Sequence, residues 1–248
     1  VALAPDVRRV LVALSGTGDE WAALDAAVDL AERLQAELAT LFIEDVDLLR
    51  ASLLPGMREI GRLSAQSRQL DFGQMERTLK AAASAAESRL RQTAQARALR
   101  FSFQVLRGRP VPQLLSRAGR WDLVLLAPPA WERRRRPAIS PIALYYDASA
   151  EAEAALALAA SLARDTGVPL HLMIPAGTET AFQQRLAQAR SHAPGLTLSA
   201  EHCRAADLLE RLAQQNAGLV ILPGTEAFDA AALDRLRQRV RCDLLVVR

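Results

Sequence analysis

Laid over itself at an offset of 132 residues, the chain matches itself: Val10 falls on Ile142 and, with no gap, Thr17 on Ser149, Leu24 on Leu156, Leu30 on Leu162, Ala31 on Ala163 and Leu38 on Leu170. Chance rarely holds an apolar run and a helical pattern in one register, so the chain is a duplication and both copies must build one plan. In the first copy, 10–14 is an apolar run too short for a helix and continuous enough for a strand buried on both faces. Ser15-Gly16-Thr17-Gly18 leads into a helical pattern with Leu24, Ala27, Val28, Ala31 and Leu34 on one face. Asp19 and Glu20 stand at its start, where the helix dipole favours negative charge. A second strand is predicted over 38–43. Such a unit enforces parallel strands with a right-handed crossover.

The second copy repeats this with a strand over 142–146, a turn at Asp147-Ala148-Ser149, a helix over 154–164 and a strand over 170–174. Later elements repeat with small gaps. The strand at 101–106 matches 196–201, the helix at 111–118 matches 206–214, and the strand at 123–126 matches 219–222. Each half therefore reads as four strands alternating with helices, the pattern of an open, doubly wound parallel sheet. The halves differ in two places. The first carries an extra stretch over 44–73 before a long helix at 74–98. The second continues past its fourth strand with a helix over 230–240 and a strand over 244–247, where the first has only the loop 128–141. Two domains are expected, 1–138 with four strands and 139–248 with five. A missing edge strand leaves backbone groups unpaired, so the other half or a second chain is expected to cover it. A homodimer or a protein partner follows as an expectation.

Half of the 248 residues are apolar and 24% are charged, which excludes wholesale disorder. No apolar run approaches the roughly 20 residues of a membrane span, and no signal segment is read at the start. A net charge of +3, with every basic residue but Lys80 an arginine, argues against nucleic acid, which favours clustered positive faces. Cys203 and Cys242 form no framework and read as reduced thiols, so a cytoplasmic location is expected. Chemistry-bearing motifs are absent. His171, His192 and His202 share no metal-ligand spacing and have no obvious acidic partner, and there is no GxSxG elbow or P-loop. Gly16-Thr17-Gly18 begins a dinucleotide fingerprint, but Trp21 stands where its third glycine belongs, so an ordinary turn is the better reading. No catalytic residue and no metal site is expected.

Leu14-Ser15-Gly16-Thr17 and Tyr146-Asp147-Ala148-Ser149, each closing the first strand of a half, resemble the strand-end motifs of the universal stress protein family in its tandem form. Leu41-Phe42-Ile43-Glu44-Asp45, Phe101-Ser102-Phe103-Gln104-Val105 and Arg241-Cys242-Asp243-Leu244-Leu245-Val246-Val247 read the same way, and the resemblance spans almost the whole chain. It implies two tandem Rossmann-like sheets of the adenine nucleotide alpha hydrolase type, with strand order 3-2-1-4-5. It also implies a role in stress response and, in many relatives, ATP at the carboxyl ends of the strands. There an Asp after the first strand holds the nucleotide and a residue ending the second packs on adenine. A Gly-x2-Gly-x9-Gly-Ser/Thr loop after the fourth strand cradles phosphates.

That loop is degraded here. After its fourth strand the first half runs into Ala127-Pro128-Pro129-Ala130-Trp131, with no glycine before Ser140, and Ser15 replaces the Asp. Proline removes an N–H donor and fixes φ, the opposite of what a phosphate cradle requires. Ser15, Gly16, Thr17 and Ile43 mark this degenerate cleft. The second half keeps Asp147, Ser149, Ile174, Gly224 and Thr225 as candidate ligand-binding residues, but Ala227 and the region of Arg237 occupy the other glycine positions. Asp147 reads as a turn residue and Ser149 as an N-cap; a weakened nucleotide site with phosphates in solvent is the other reading. No cofactor is expected, ATP being the exception this second reading would admit. Arg133 to Arg136, near Trp131, reads either as a solvated charge run or as an anion-binding loop. The inserted stretch, with Leu48, Leu49, Leu53, Leu54, Met57 and Ile60 among Arg50, Arg58 and Arg62, is expected to pack within the chain and cover the cleft. The whole reads as a non-catalytic tandem protein working through protein contacts or weak small-ligand binding. The alternative is an adenine-nucleotide-binding stress regulator using the second half.

Overall fold

The computed structural model describes residues 7–15, 21–56, 58–60, 67–69, 71–119, 122–127, 140–204 and 207–248. The chain forms two compact units, Val12–Arg117 and Val1–Leu11 with Ala118–Arg248. The first unit opens on β1, Arg9–Leu14, whose first residues belong to the other unit. It continues with α1 (Trp21–Leu34), β2 (Glu37–Asp45), α2 (Val46–Ala51), the strands β3 (Arg58–Ile60) and β4 (Ser67–Gln69), α3 (Phe72–Ala96), β5 (Phe101–Gly108) and α4 (Pro110–Arg117). The second contains β6 (Asp122–Leu126), β7 (Ile142–Tyr145), α5 (Ala150–Thr166), β8 (Leu170–Pro175), α6 (Glu179–His192), β9 (Leu198–Cys203) and α7 (Leu208–Gln214). It ends with β10 (Leu219–Pro223), α8 (Ala230–Arg239) and β11 (Asp243–Val247).

The strands follow the order β5-β2-β1-β6-β11-β10-β7-β8-β9. Numbered within its own copy, the first half runs 3-2-1-4 and the second, outward from β11, runs 5-4-1-2-3. Four and five strands are as the sequence predicts, but two separate sheets are not what forms: there is one sheet of nine strands. The reason lies at β6. Its outer edge has no fifth strand from its own half, and β11 fills that place by antiparallel pairing, Leu244 with Leu126, Leu245 with Leu125, Val246 with Val124 and Val247 with Leu123. β11 is at the same time parallel to β10, from Leu219 with Asp243 to Pro223 with Val247. All five residues of β6 and all five of β11 are buried, and each fully buried Leu or Val contributes about 1.5–3 kcal/mol. The expected cover for the open edge is therefore the other half of the same chain.

Burying β6 also buries a charge. Asp122, 2% exposed, accepts from Arg9 Nη2 at 2.5 Å, Arg9 Nε at 3.2 Å and the Gly119 N–H at 2.7 Å. The two-pronged guanidinium contact compensates the desolvation of the carboxylate.

The inserted stretch forms α2 and the antiparallel β3–β4 hairpin. Asp45 caps α2 by accepting the Asp47 N–H at 2.9 Å. α2 packs on β2, β5 and α3 and buries Leu49, as expected of a segment folded within the chain. Leu53 and Leu54 do not follow it inward; they stand 65% and 58% exposed. Met57 and Arg62 lie outside the described residues.

The only two tyrosines of the chain close β7 on opposite faces of the sheet. Tyr145 meets the edge of Phe228 at a centroid distance of 5.0 Å. Tyr146, fully buried, donates from its hydroxyl to Glu153 Oε1 at 2.7 Å. Burial, with the Asp147 carboxylate adding to it, pushes the Tyr145 phenol up to about 12. Tyr146 is also raised, by burial first and then by its bond to Glu153.

Two outcomes are expected. Val246→Pro removes a ladder donor from a strand paired on both edges, and should lower unfolding free energy by about 3 kcal/mol or more in urea titration. Because the tyrosine pKa values are raised on folding, their stabilisation is complete below the unfolded value near 10 and is lost as pH climbs towards 12. Phenolate absorbance of the native protein should stay close to zero at pH 10; half-ionisation there would contradict the packing described.

Candidate functional site

The carboxyl ends of β7, β8 and β10 belong to one unit and carry the residues singled out in the second half. After β7, Ala148 takes φ +67°, a left-handed turn that non-glycine residues adopt at some cost. This brings the Ser149 N–H to Asp147 Oδ1 at 3.0 Å. Ser149 then caps α5, accepting the Ala152 N–H at 3.1 Å, while its carbonyl accepts from Glu153. Glu151 and Glu153 occupy the first turn. The positive end of the α5 dipole is thus already met by a hydroxyl and carboxylates. Asp147 and Ser149 adopt the turn and cap arrangement.

Ile174 lies on β8, opposite His202 of β9, and is fully buried. Its strand continues through Pro175, whose carbonyl accepts from Arg185, so the side chain belongs to the core beneath the strand ends. Gly224 follows β10. Its N–H donates to the Val247 carbonyl at 2.7 Å, and a Cβ there would stand 2.8 Å from Arg248 Cγ and 2.9 Å from the Val247 oxygen. Glycine is needed at this position because the end of β11 passes against it. The Thr225 N–H donates to the Pro223 carbonyl at 2.9 Å and the Phe228 N–H to Thr225 at 3.1 Å, closing a short 3-10 turn over Glu226–Phe228. Asp229 caps α8, accepting the Ala232 N–H at 2.7 Å. Thr225 Oγ1 is buried with no hydrogen-bond partner among the described residues.

In the first half, Ser15 follows β1, while Gly16 and Thr17 lie outside the described residues, as do the prolines after β6, Trp131 and Arg133 to Arg136. Ile43 is fully buried, paired in register with Leu106. At the ends of β2 and β5, Glu44 Oε2 accepts from Arg107 Nε at 2.9 Å and Nη2 at 2.7 Å; Arg107 also reaches Glu76 at 3.1 Å. The Arg107 bond, with Lys80 adding charge, holds the Glu76 carboxyl below its ordinary range. Glu44 and then Glu76 hold the Arg107 guanidinium more firmly protonated. Beside them Arg109 pairs with Asp47 at 2.8 Å.

Two of the three histidines, His171 and His192, do have acidic neighbours, contrary to expectation. His171 Nδ1 lies 2.8 Å from Ser199 Oγ and its Nε2 3.6 Å from Glu201; His192 lies 3.1 Å from Glu153. His202 Nε2 stands 2.7 Å from the Ala176 carbonyl and therefore carries the proton. These partners come from neighbouring strands and helices, a proximity that sequence spacing does not carry. Cys203 and Cys242 are both buried, and neither forms a disulfide among the described residues. Burial, reinforced by Glu201, pushes the Cys203 thiol up. Among the described residues, no three His, Cys, Asp or Glu side chains stand together as a metal site. No described helix is long and apolar enough to cross a membrane.

No protein-family model and no curated protein matches the chain. Solved structures do. A universal stress protein from Archaeoglobus fulgidus DSM 4304 superposes over 97% of this chain and 96% of its own, with a TM-score of 0.57 and 14% identity. A functionally unknown protein from Pseudomonas aeruginosa PAO1 covers 97% and 92% with a TM-score of 0.54 and 16% identity. At such identities the likeness is one of fold. With strand order 3-2-1-4 in one copy and 3-2-1-4-5 in the other, the chain has the tandem universal stress protein fold.

Proposed function

We propose that the chain is a non-catalytic protein of the universal stress protein type. It acts in stress response through protein contacts or weak small-ligand binding, and holds no triphosphate at its strand ends. The observation that carries this reading is the loop between β10 and α8. A phosphate cradle needs convergent N–H groups without partners and no negative charge beside them. Here the N–H groups of Gly224, Thr225 and Phe228 bond to the chain itself, and the Asp229 carboxylate occupies the start of α8.

The nearest approach to a catalytic constellation supports the same view. His171 lies between Ser199 and Glu201, but Glu201 is engaged by Arg211 and Gln215, and its 3.6 Å separation from His171 is too long for a hydrogen bond. Leu170 donates to the Thr197 carbonyl in the β8–β9 ladder, which turns the Ser199 N–H toward β8 as well. The N–H of Ser199 itself is therefore taken by the ladder and not available to an oxyanion.

Titration calorimetry of the full chain with ATP and Mg²⁺ tests the proposal. Binding no tighter than about 1 mM is expected; micromolar, phosphate-dependent affinity would overturn it. One observation favours the second reading, adenine-nucleotide binding in the second half: at the strand ends Thr225 Oγ1 is a buried polar atom with no hydrogen-bond partner among the described residues. On that reading Asp147→Ala weakens nucleotide binding about tenfold or more, the loss of a hydrogen bond to a charged group. Unchanged affinity in that variant removes it.

A further inference from the structure

β5 stands at one end of the strand order, so its outer edge pairs with no strand among the described residues. The ladder to β2 fixes which backbone groups lie on that edge. Leu38 is in register with Phe101, and its N–H donates to the Arg100 carbonyl at 2.9 Å. In a parallel ladder alternate residues turn both their N–H and C=O to one neighbour. Arg100, Ser102, Gln104 and Leu106 therefore face β2, while Phe101, Phe103 and Val105 present their backbone groups outward.

Side chains alternate on the same period. Phe101, Phe103 and Val105 share one face of the sheet. Ser102 and Gln104 share the other, where Ser102 donates to Glu37 and Gln104 accepts from Arg117. Val105 is 50% exposed, and the other large apolar side chains exposed among the described residues, Leu53 and Leu54, directly follow α2, which packs on β5.

Edge strands are ordinarily guarded by lysine, proline, a bulge or a charge. The opposite end of the order, β9, carries Glu201 and His202. From Phe101 to Leu106 β5 carries no such guard, and Arg107 is neutralised by Glu44 and Glu76.

We propose that β5 is a self-association edge, on which a second copy of this chain lays its own β5 antiparallel with Phe103 at the twofold axis. The occupant follows from the strand's complementarity to itself. In this register Phe101 faces Val105 and Ser102 faces Gln104, so apolar meets apolar, hydroxyl meets amide, and no charge faces a like charge. Residues with outward backbone groups meet one another, as an antiparallel ladder requires. Moving the axis to Gln104 would set Phe101 against Arg107, and moving it to Val105 would set Phe103 there. The Phe103 register is thereby selected.

Sedimentation equilibrium of the full chain from about 1 to 100 μM should show a concentration-dependent dimer. Val105→Lys, at a half-exposed site, should weaken it about tenfold or more while leaving the circular dichroism spectrum unchanged. Phe103→Cys supplies a readout that needs no loss of association. Directly opposed residues of an antiparallel pair have Cα atoms about 5.5 Å apart, within disulfide reach. Mild oxidation should therefore cross-link this variant to a covalent dimer, with the wild type, whose cysteines are buried, as the uncross-linked control. A monomer throughout the concentration range, a dimer indifferent to Val105→Lys, or a Phe103→Cys dimer that does not cross-link would each overturn the proposal.

Discussion

Hydrogen bonding along both edges of β11 is the constraint on which the rest of the architecture depends. One edge completes the second copy's own sheet against β10, and the other supplies β6 with the neighbour its copy lacks. Without that second ladder, β6 would place a row of buried backbone donors and acceptors against nothing, each costing about 1–3 kcal/mol. The Arg9–Asp122 contact and the Arg248 N–H, which donates to the Asp122 carbonyl at 3.1 Å, secure the same seam. The demand reaches the strand ends as well. Gly224 lies where the end of β11 passes, and its N–H is taken by Val247. The glycine that most resembles a remnant of a phosphate loop is thus fixed by the needs of the sheet.

Much of this fold is legible in the amino-acid order because it rests on local periodicity. The runs at Val10, Ile142 and Leu219 are strands, and the turn at Asp147-Ala148-Ser149 and the apolar-faced helices fall within a few residues of where the pattern puts them. An unfilled edge beside β6 is also legible, as a count of strands. What fills it is not. Antiparallel pairing of Leu125 with Leu245 joins segments far apart in the chain, and nothing in either segment names its partner. The short hairpin of β3 and β4 escapes a sequence reading for a different reason: three-residue strands leave too little alternation to distinguish them from an amphipathic helix.

At the strand ends, the sequence reaches what a residue type sets locally and does not reach what side chains do across elements. The cap at Ser149 follows from residue type. The resemblance marks Ile43 and Ile174 for the cleft because they end the second strand of each copy; both strands continue one or two residues beyond them, and both side chains are buried. The Glu44–Arg107–Glu76 network and the neighbours of His171 depend on register between strands, to which local spacing is blind.

A shared terminal strand also removes the redundancy that a duplication would otherwise carry. Because β6 leans on Asp243–Val247, a chain cut before the later repeat would strand β6 with a raw edge. Neither copy is a spare of the other: the two are an obligate pair.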